Sequence, residues 1–149
     1  MHLKGTIRIQ APRERVWEFL TDPEAVAACA PGVESLETLT PHEKFRVVTA
    51  VGFGALKARF TTDVEWLGLE PPRRAQMKFH GTAPGSAVDG ATTMTLSEPE
   101  EGTTEVAWAA EVGIAGTLAS VASRLMGGVT KKLTAAFFAK VRKKIQAKK

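Results

Sequence analysis

Residues 103–141 read TTEVAWAAEVGIAGTLASVASRLMGGVTKKLTAAFFAKV, and the spacing of their apolar positions changes part-way along. Up to Ile114 every second residue is apolar (Val106, Trp108, Ala110, Val112, Ile114), the alternation of a strand with one buried face. Gly116 interrupts the pattern. Beyond it the apolar residues recur at intervals of three and four: Leu118, Val121, Ala122, Leu125, Met126, Val129, Leu133, Phe137, Val141 and Ile145. This spacing predicts one long helix from Thr117 to about Ala147, which the Gly127-Gly128 pair either kinks or lets approach a neighbour closely. A strand feeding such a helix predicts a sheet whose apolar face covers the helix stripe.

The upstream sequence supplies that sheet. Leu3, Ile7 and Ile9 alternate with polar residues in a first strand. Pro12 opens a short helix with Val16, Trp17, Phe19 and Leu20 on its apolar side. Asp22-Pro23 starts a second, as N-cap and first helical residue, and Ala30-Pro31-Gly32 ends it. From Val33 the period is two. Strands are expected over Val33–Leu39, then with Phe45, Val47, Thr49 and Val51 on one face, then with Leu56, Ala58, Phe60, Thr62, Val64 and Trp66 on one face. Pro71-Pro72 breaks the ladder. The fifth strand turns Met77 and Phe79 inward, and the sixth Val88, Gly90, Thr92, Met94 and Leu96. Turns are expected at 40–43, 52–54, 81–85 and 98–102. The fold class is therefore α+β: a seven-stranded curved antiparallel sheet around a long C-terminal helix, with two short helices after the first strand. Residues 1–149 read as a single domain with a basic helix end at about 139–149.

The composition is that of a globular chain: 44% hydrophobic residues supply a core, and no apolar run approaches the ~20 residues of a spanning helix. The N-terminus shows no apolar signal region, and the single cysteine, Cys29, excludes an intrachain disulfide, so a cytoplasmic protein is expected. The net charge of +4 is unevenly spread. Nine basic and no acidic residues lie from Arg124 to Lys149, leaving the rest of the chain at −5. The cations Lys140, Arg142, Lys143, Lys144, Lys148 and Lys149 are either a solvated helix terminus complementing the helix dipole or a contact for an anionic membrane or partner surface. Nucleic acid is not expected, since no recognition pattern accompanies the charge.

Catalytic chemistry finds no foothold. The inward positions of strands four to seven hold no Asp, Glu, His, Lys, Arg or Cys, so neither a general acid–base nor an activated nucleophile is expected there. His2, His42 and His80 are widely separated and read as surface histidines, Cys29 as a small packing residue. No metal-ligand spacing occurs, and no cofactor is expected.

The strand–helix–helix–six strands–helix order is that of the START/Bet v 1-like helix-grip fold. Three early motifs (Ala11-Pro-Arg-Glu-Arg-Val-Trp17, Leu20-Thr-Asp-Pro-Glu24, Cys29-Ala-Pro-Gly32) and three later ones (Gly113-Ile-Ala-Gly-Thr-Leu-Ala119, Ser123-Arg-Leu125, Phe137-Phe138) resemble the carbon monoxide dehydrogenase G-subunit family. The resemblance spans Gly5 to about Phe138. It implies an accessory protein of molybdenum-containing dehydrogenases of the carbon monoxide dehydrogenase type, recruiting the enzyme to the cytoplasmic membrane and handling a lipophilic acceptor, a quinone or other isoprenoid. Some family members carry a linker and membrane-binding segment after this domain. With the sequence read to Lys149, the basic helix end is expected to replace that anchor, or tethering is expected to be absent. The alternatives are an enzyme of the cyclase or hydratase type acting on a bulky apolar substrate, and a ligand-free adaptor.

A ligand pocket is expected between sheet and helix, lined by Phe60, Thr62, Trp66, Met77, Phe79, Thr92, Met94, Trp108, Leu125, Met126 and Val129. Thr49, Thr62 and Thr92 are the inward hydroxyls available to a ligand carbonyl. Strand parity gathers the 52–54 turn, the 81–85 turn and the 114–118 junction at one sheet edge, placing the pocket mouth at Phe53, Pro84, Ile114 and Leu118. Phe53 is there either a hydrophobe tucked into the mouth or an apolar lip that gates entry or dips into a bilayer. The basic helix end is expected at the opposite end from this mouth.

Overall fold

A computed structural model describes the backbone of residues 2–30, 32–53 and 56–147, and their side chains except at 51–53, 56, 58, 118, 120–130, 133 and 147. The elements run β1 (His2–Ile9), α1 (Arg13–Leu20), α2 (Pro23–Cys29), β2 (Val33–Thr40), β3 (Lys44–Phe53), β4 (Leu56–Glu70), β5 (Arg74–Ala83), β6 (Ser86–Glu100), β7 (Thr103–Gly116) and α3 (Leu118–Ala147). The seven strands form one antiparallel sheet in the order β1-β7-β6-β5-β4-β3-β2. The expected α+β helix-grip architecture is the one observed. Pairing β1 with β7 puts the chain's first strand beside its last, with Ile7 opposite Val106 and Gly5 opposite Trp108.

Alternation sorts the two faces. The outer face carries cross-strand ion pairs: Arg46 with Asp63 (2.7 Å), Lys78 with Glu65 (3.1 Å) and Arg59 with Glu34 (2.6 Å). Their energetic value is small because they are solvated. The core lies on the inner face at the end where β1 meets α1, with Ile9, Val16, Leu96, Val106, Val141 and Ile145 buried together. Arg15 locks the arrangement by donating to the Ile145 carbonyl (2.8 Å), and the Gln10 amide donates to the Gln146 side chain (3.1 Å).

Several boundaries differ from expectation: β3 continues through Gly52 to Phe53, where the sequence predicts a turn. β5 continues through Gly81 to Ala83, because Thr62 fills the space beside that glycine; a Cβ there would stand 2.7 Å from the Thr62 hydroxyl. β6 continues through Pro99 to Glu100, because a register shift between Ser97 and Glu100 spares the ladder the amide that proline lacks. β4 continues beyond Trp66 to Glu70 through a bulge between Trp66 and Gly68, and Leu67 and Leu69 in this stretch are exposed. Pro12 is the N-cap of α1 rather than its first helical residue. Gly116 has φ +90, and a Cβ on it would stand 2.0 Å from the Gly85 carbonyl oxygen, so the junction of β7 with α3 requires glycine.

Candidate functional site

The site is built by α2 as much as by the sheet. The Asp22 side chain accepts from the Glu24 amide (3.1 Å) and Pro23 presets the first turn, so the helix begins where the sequence marks it. It ends before Gly32, whose φ is +78 and whose carbonyl accepts from the Ala50 amide (2.8 Å). A Cβ at Gly32 would stand 2.2 Å from the Ala50 carbonyl oxygen, so glycine lets the chain fold down onto β3 and suspends α2 over the β2–β3 side.

Between α2, the concave sheet and the C-terminal half of α3 lies a cavity of about 450 Å3. Leu20, Pro23, Val26, Ala27 and Ala30 form one wall, and Thr134, Phe137 and Phe138 of α3 another. The sheet contributes Val33, Phe45, Val47, Val64, Trp66, Ala75, Met77, Thr92, Met94, Val106 and Trp108. Among the described lining residues only Thr92 and Thr134 carry a side-chain polar group apart from the two indoles, and none carries a carboxylate, imidazole, ammonium or guanidinium.

Trp66, Met77, Thr92, Met94 and Trp108, named from the sequence, thus stand around one space. Phe60, Thr62 and Phe79 share the inner face but are not among its described lining. The Phe79 ring covers Gly90, where a Cβ would come within 2.3 Å of it, and Thr62 covers Gly81. Phe60 is buried. Pro84 is exposed and Ile114 half-buried, and neither lines the cavity. The side chains of Leu125, Met126, Val129, Phe53 and Leu118 lie outside the described residues. α2 escapes a strand-parity argument because its contribution depends on how the helix is suspended. Its small apolar residues Val26, Ala27 and Ala30, at helical spacing, were the available signal.

The cavity adjoins two further clefts. One shares Pro23, Phe45 and Trp66 and opens beside Thr40, His42 and Lys44. The other shares Trp108, Thr134 and Phe138 and lies between β1 and α3. On the last turns of α3, Lys140, Arg142, Lys143 and Lys144 are exposed while Val141 and Ile145 are buried on the opposite side. Arg142 donates to the Arg8 carbonyl (3.1 Å). Lys148 and Lys149 lie outside the described residues. Burial pushes the Cys29 thiol up from its ordinary value, an effect that the Lys144 and Lys140 charges partly offset. Val141 and Ile145 pack in one buried cluster with Cys29 of α2, and Phe137 and Phe138 line the cavity, so the basic helix end lies near α2, alongside the cavity.

His2 faces Glu111 (3.1 Å) and His80 faces Asp89 (2.5 Å), all exposed, and His42 sits in the β2–β3 turn at φ 62. Among the described residues no group of His, Cys, Asp and Glu is placed to hold a metal ion. No described helix is long and apolar enough to cross a membrane.

A family model for the G subunit of carbon monoxide dehydrogenase (CoxG) matches residues 5–146. The chain belongs to the CoxG family. Among solved structures, this CoxG-family chain is similar to a conserved protein from Geobacillus kaustophilus, at 25% identity and a TM-score of 0.91, covering 99% of this chain and 96% of that one. It shares its fold with the Zhui aromatase/cyclase from a Streptomyces species (18% identity, TM-score 0.75, covering 98% and 93%). It also shares it with a protein from Thermus thermophilus (19% identity, TM-score 0.70, covering 99% and 98%). Among curated proteins no sequence matches significantly.

Proposed function

We propose that this CoxG-family protein binds a lipophilic molecule, a quinone or another isoprenoid, and couples a molybdenum-containing dehydrogenase of the carbon monoxide dehydrogenase type to the cytoplasmic membrane. One observation carries the ligand part. A cavity of about 450 Å3 falls within the ~300–1,000 Å3 of small-molecule sites, and its described lining is apolar apart from two hydroxyls and two indole N–H groups. Burying an apolar tail there yields roughly 25 cal/mol per Å2 removed from water. The Thr92 and Thr134 hydroxyls are suited to donate to a ligand carbonyl. The same lining favours carriage over conversion, because a cyclase or hydratase needs a titratable group beside its substrate. Family membership supports the partner, and the cations Lys140, Lys143 and Lys144 are suited to an anionic leaflet.

Titrating the full chain with menadione while following tryptophan emission tests the ligand, since Trp66 and Trp108 line the cavity. Saturable quenching that Ala27→Trp abolishes is expected. Linear quenching, equal to that of free tryptophan, would refute the ligand reading. Co-sedimentation with phosphatidylglycerol vesicles, lost at high salt and in a Lys140/Lys143/Lys144→Glu variant, is expected for the membrane part. Equal binding to phosphatidylcholine vesicles would contradict it.

A further inference from the structure

β1 is one border of the sheet, and among the described strands its only neighbour is β7. The Arg8 carbonyl points away from β7, since it accepts from the Arg142 guanidinium on α3 (3.1 Å). Backbone groups of a strand alternate in direction, so His2, Lys4 and Thr6 turn their N–H and C=O groups to the same free side. Helix side chains occupy the end of this border at Arg8 and Gln10. At His2–Thr6 it faces a groove of about 680 Å3 instead.

The two sheet borders are built differently. β2 has register shifts at both ends, and its Glu34 is tied to Arg59. Such irregularities blunt an edge against pairing. β1 pairs with β7 over eight consecutive residues without a shift, so its outer border is regular. Gly5 and Trp108 belong to the groove, and Lys131, Ala135 and Arg142 form its α3 wall. Lys4, Lys131 and Arg142 are its charged groups, with titratable His2 at one end; no acidic residue is among its described lining.

We propose that this groove takes an extended acidic segment of a partner protein, which adds to the sheet as an eighth strand beside β1. Strand addition supplies main-chain hydrogen bonds, and the cations select acidic side chains. The open stretch His2–Thr6 is about 17 Å long at ~3.4 Å per residue, matching a segment of about five residues. A second copy of this chain fits poorly: β1 against β1 would set Lys4 and Arg8 against their own kind, and β2 is irregular. The groove shares Trp108, Thr134 and Phe138 with the cavity, but the inference requires no particular occupant there.

The test uses the full chain and a fluorescein-labelled peptide of alternating glutamate and valine, the length of the open stretch His2–Thr6. A lysine-for-glutamate peptide is the control. Anisotropy is expected to show saturable binding of the acidic peptide alone. Thr6→Pro removes one outward N–H without touching the β1–β7 ladder. Lys131→Glu reverses one charge on the α3 wall. Each is expected to weaken binding about tenfold, the usual effect of one hydrogen bond or one close charge, with the parent's circular dichroism retained. No saturable binding up to about 1 mM, equal binding of the basic peptide, or parental affinity in both variants would overturn the proposal. So would a native-mass dimer that Thr6→Pro dissociates, which would assign the border to a second copy.

Discussion

Ile145→Ala tests whether the basic end of α3 is part of the core or a detachable arm. Ile145 is 2% exposed and packs in the cluster of Ile9, Val16, Leu96, Val106 and Val141. The substitution removes three carbons. At ~0.8 kcal/mol each, the lost transfer energy is about 2.4 kcal/mol. Incomplete collapse around the vacated space adds about 1 kcal/mol, and the better helix propensity of alanine returns a few tenths. The expected loss is about 3 kcal/mol. Urea titration followed by tryptophan emission and circular dichroism reads it: with a slope of ~2 kcal/mol per molar, the midpoint falls by about 1.5 M. Lys143→Ala, exposed on the same helix, is expected to stay within ~0.5 kcal/mol of the parent. A loss below about 1 kcal/mol for Ile145→Ala would show that the last turns are not clamped. The wall formed by Phe137 and Phe138 would then lose its anchor as well.

Gly90→Ala is expected to cost about 1–3 kcal/mol by overpacking, because the new methyl meets the Phe79 ring at 2.3 Å and the Glu111 carbonyl oxygen at 2.7 Å. An unchanged melting temperature would contradict that packing. Cys29 is expected to react with a maleimide only on unfolding, since it is fully buried and its thiol is held protonated; rapid labelling of the native protein would oppose this. The Arg46 hydrogen bond holds the Asp63 carboxyl below its ordinary value. The stability it contributes is therefore complete above the unfolded value of about 3.9 and is lost as pH falls through the folded value. Denaturation of the parent and of Asp63→Asn should differ at neutral pH and converge in acid; a gap that persisted or widened there would reverse the sign.

Element order was legible because it is a local property. The change of period at Gly116, the Asp22-Pro23 helix start and the alternation along β4 each depend on neighbours within a few residues. The inner face was legible for the same reason, since strand side chains alternate strictly. Position along that face was not. Phe60, Thr62 and Phe79 have the same parity as Trp66 and Met77, yet Thr62 and Phe79 are taken up by glycines on adjacent strands, a matter of register between Gly81, Gly90 and their partners. Val26, Ala27 and Ala30 became a wall because Gly32 folds α2 back toward Ala50.

The sequence alone thus determined the α+β element order, the apolar inner face and the uneven distribution of charge, because these follow from periodicity and counting. Only the tertiary structure decided that the cavity lies under α2 and that the basic helix end is clamped beside it. It alone made β1 a regular free border facing cations. Each of these depends on contacts between residues far apart in the chain, whose geometry no local pattern encodes.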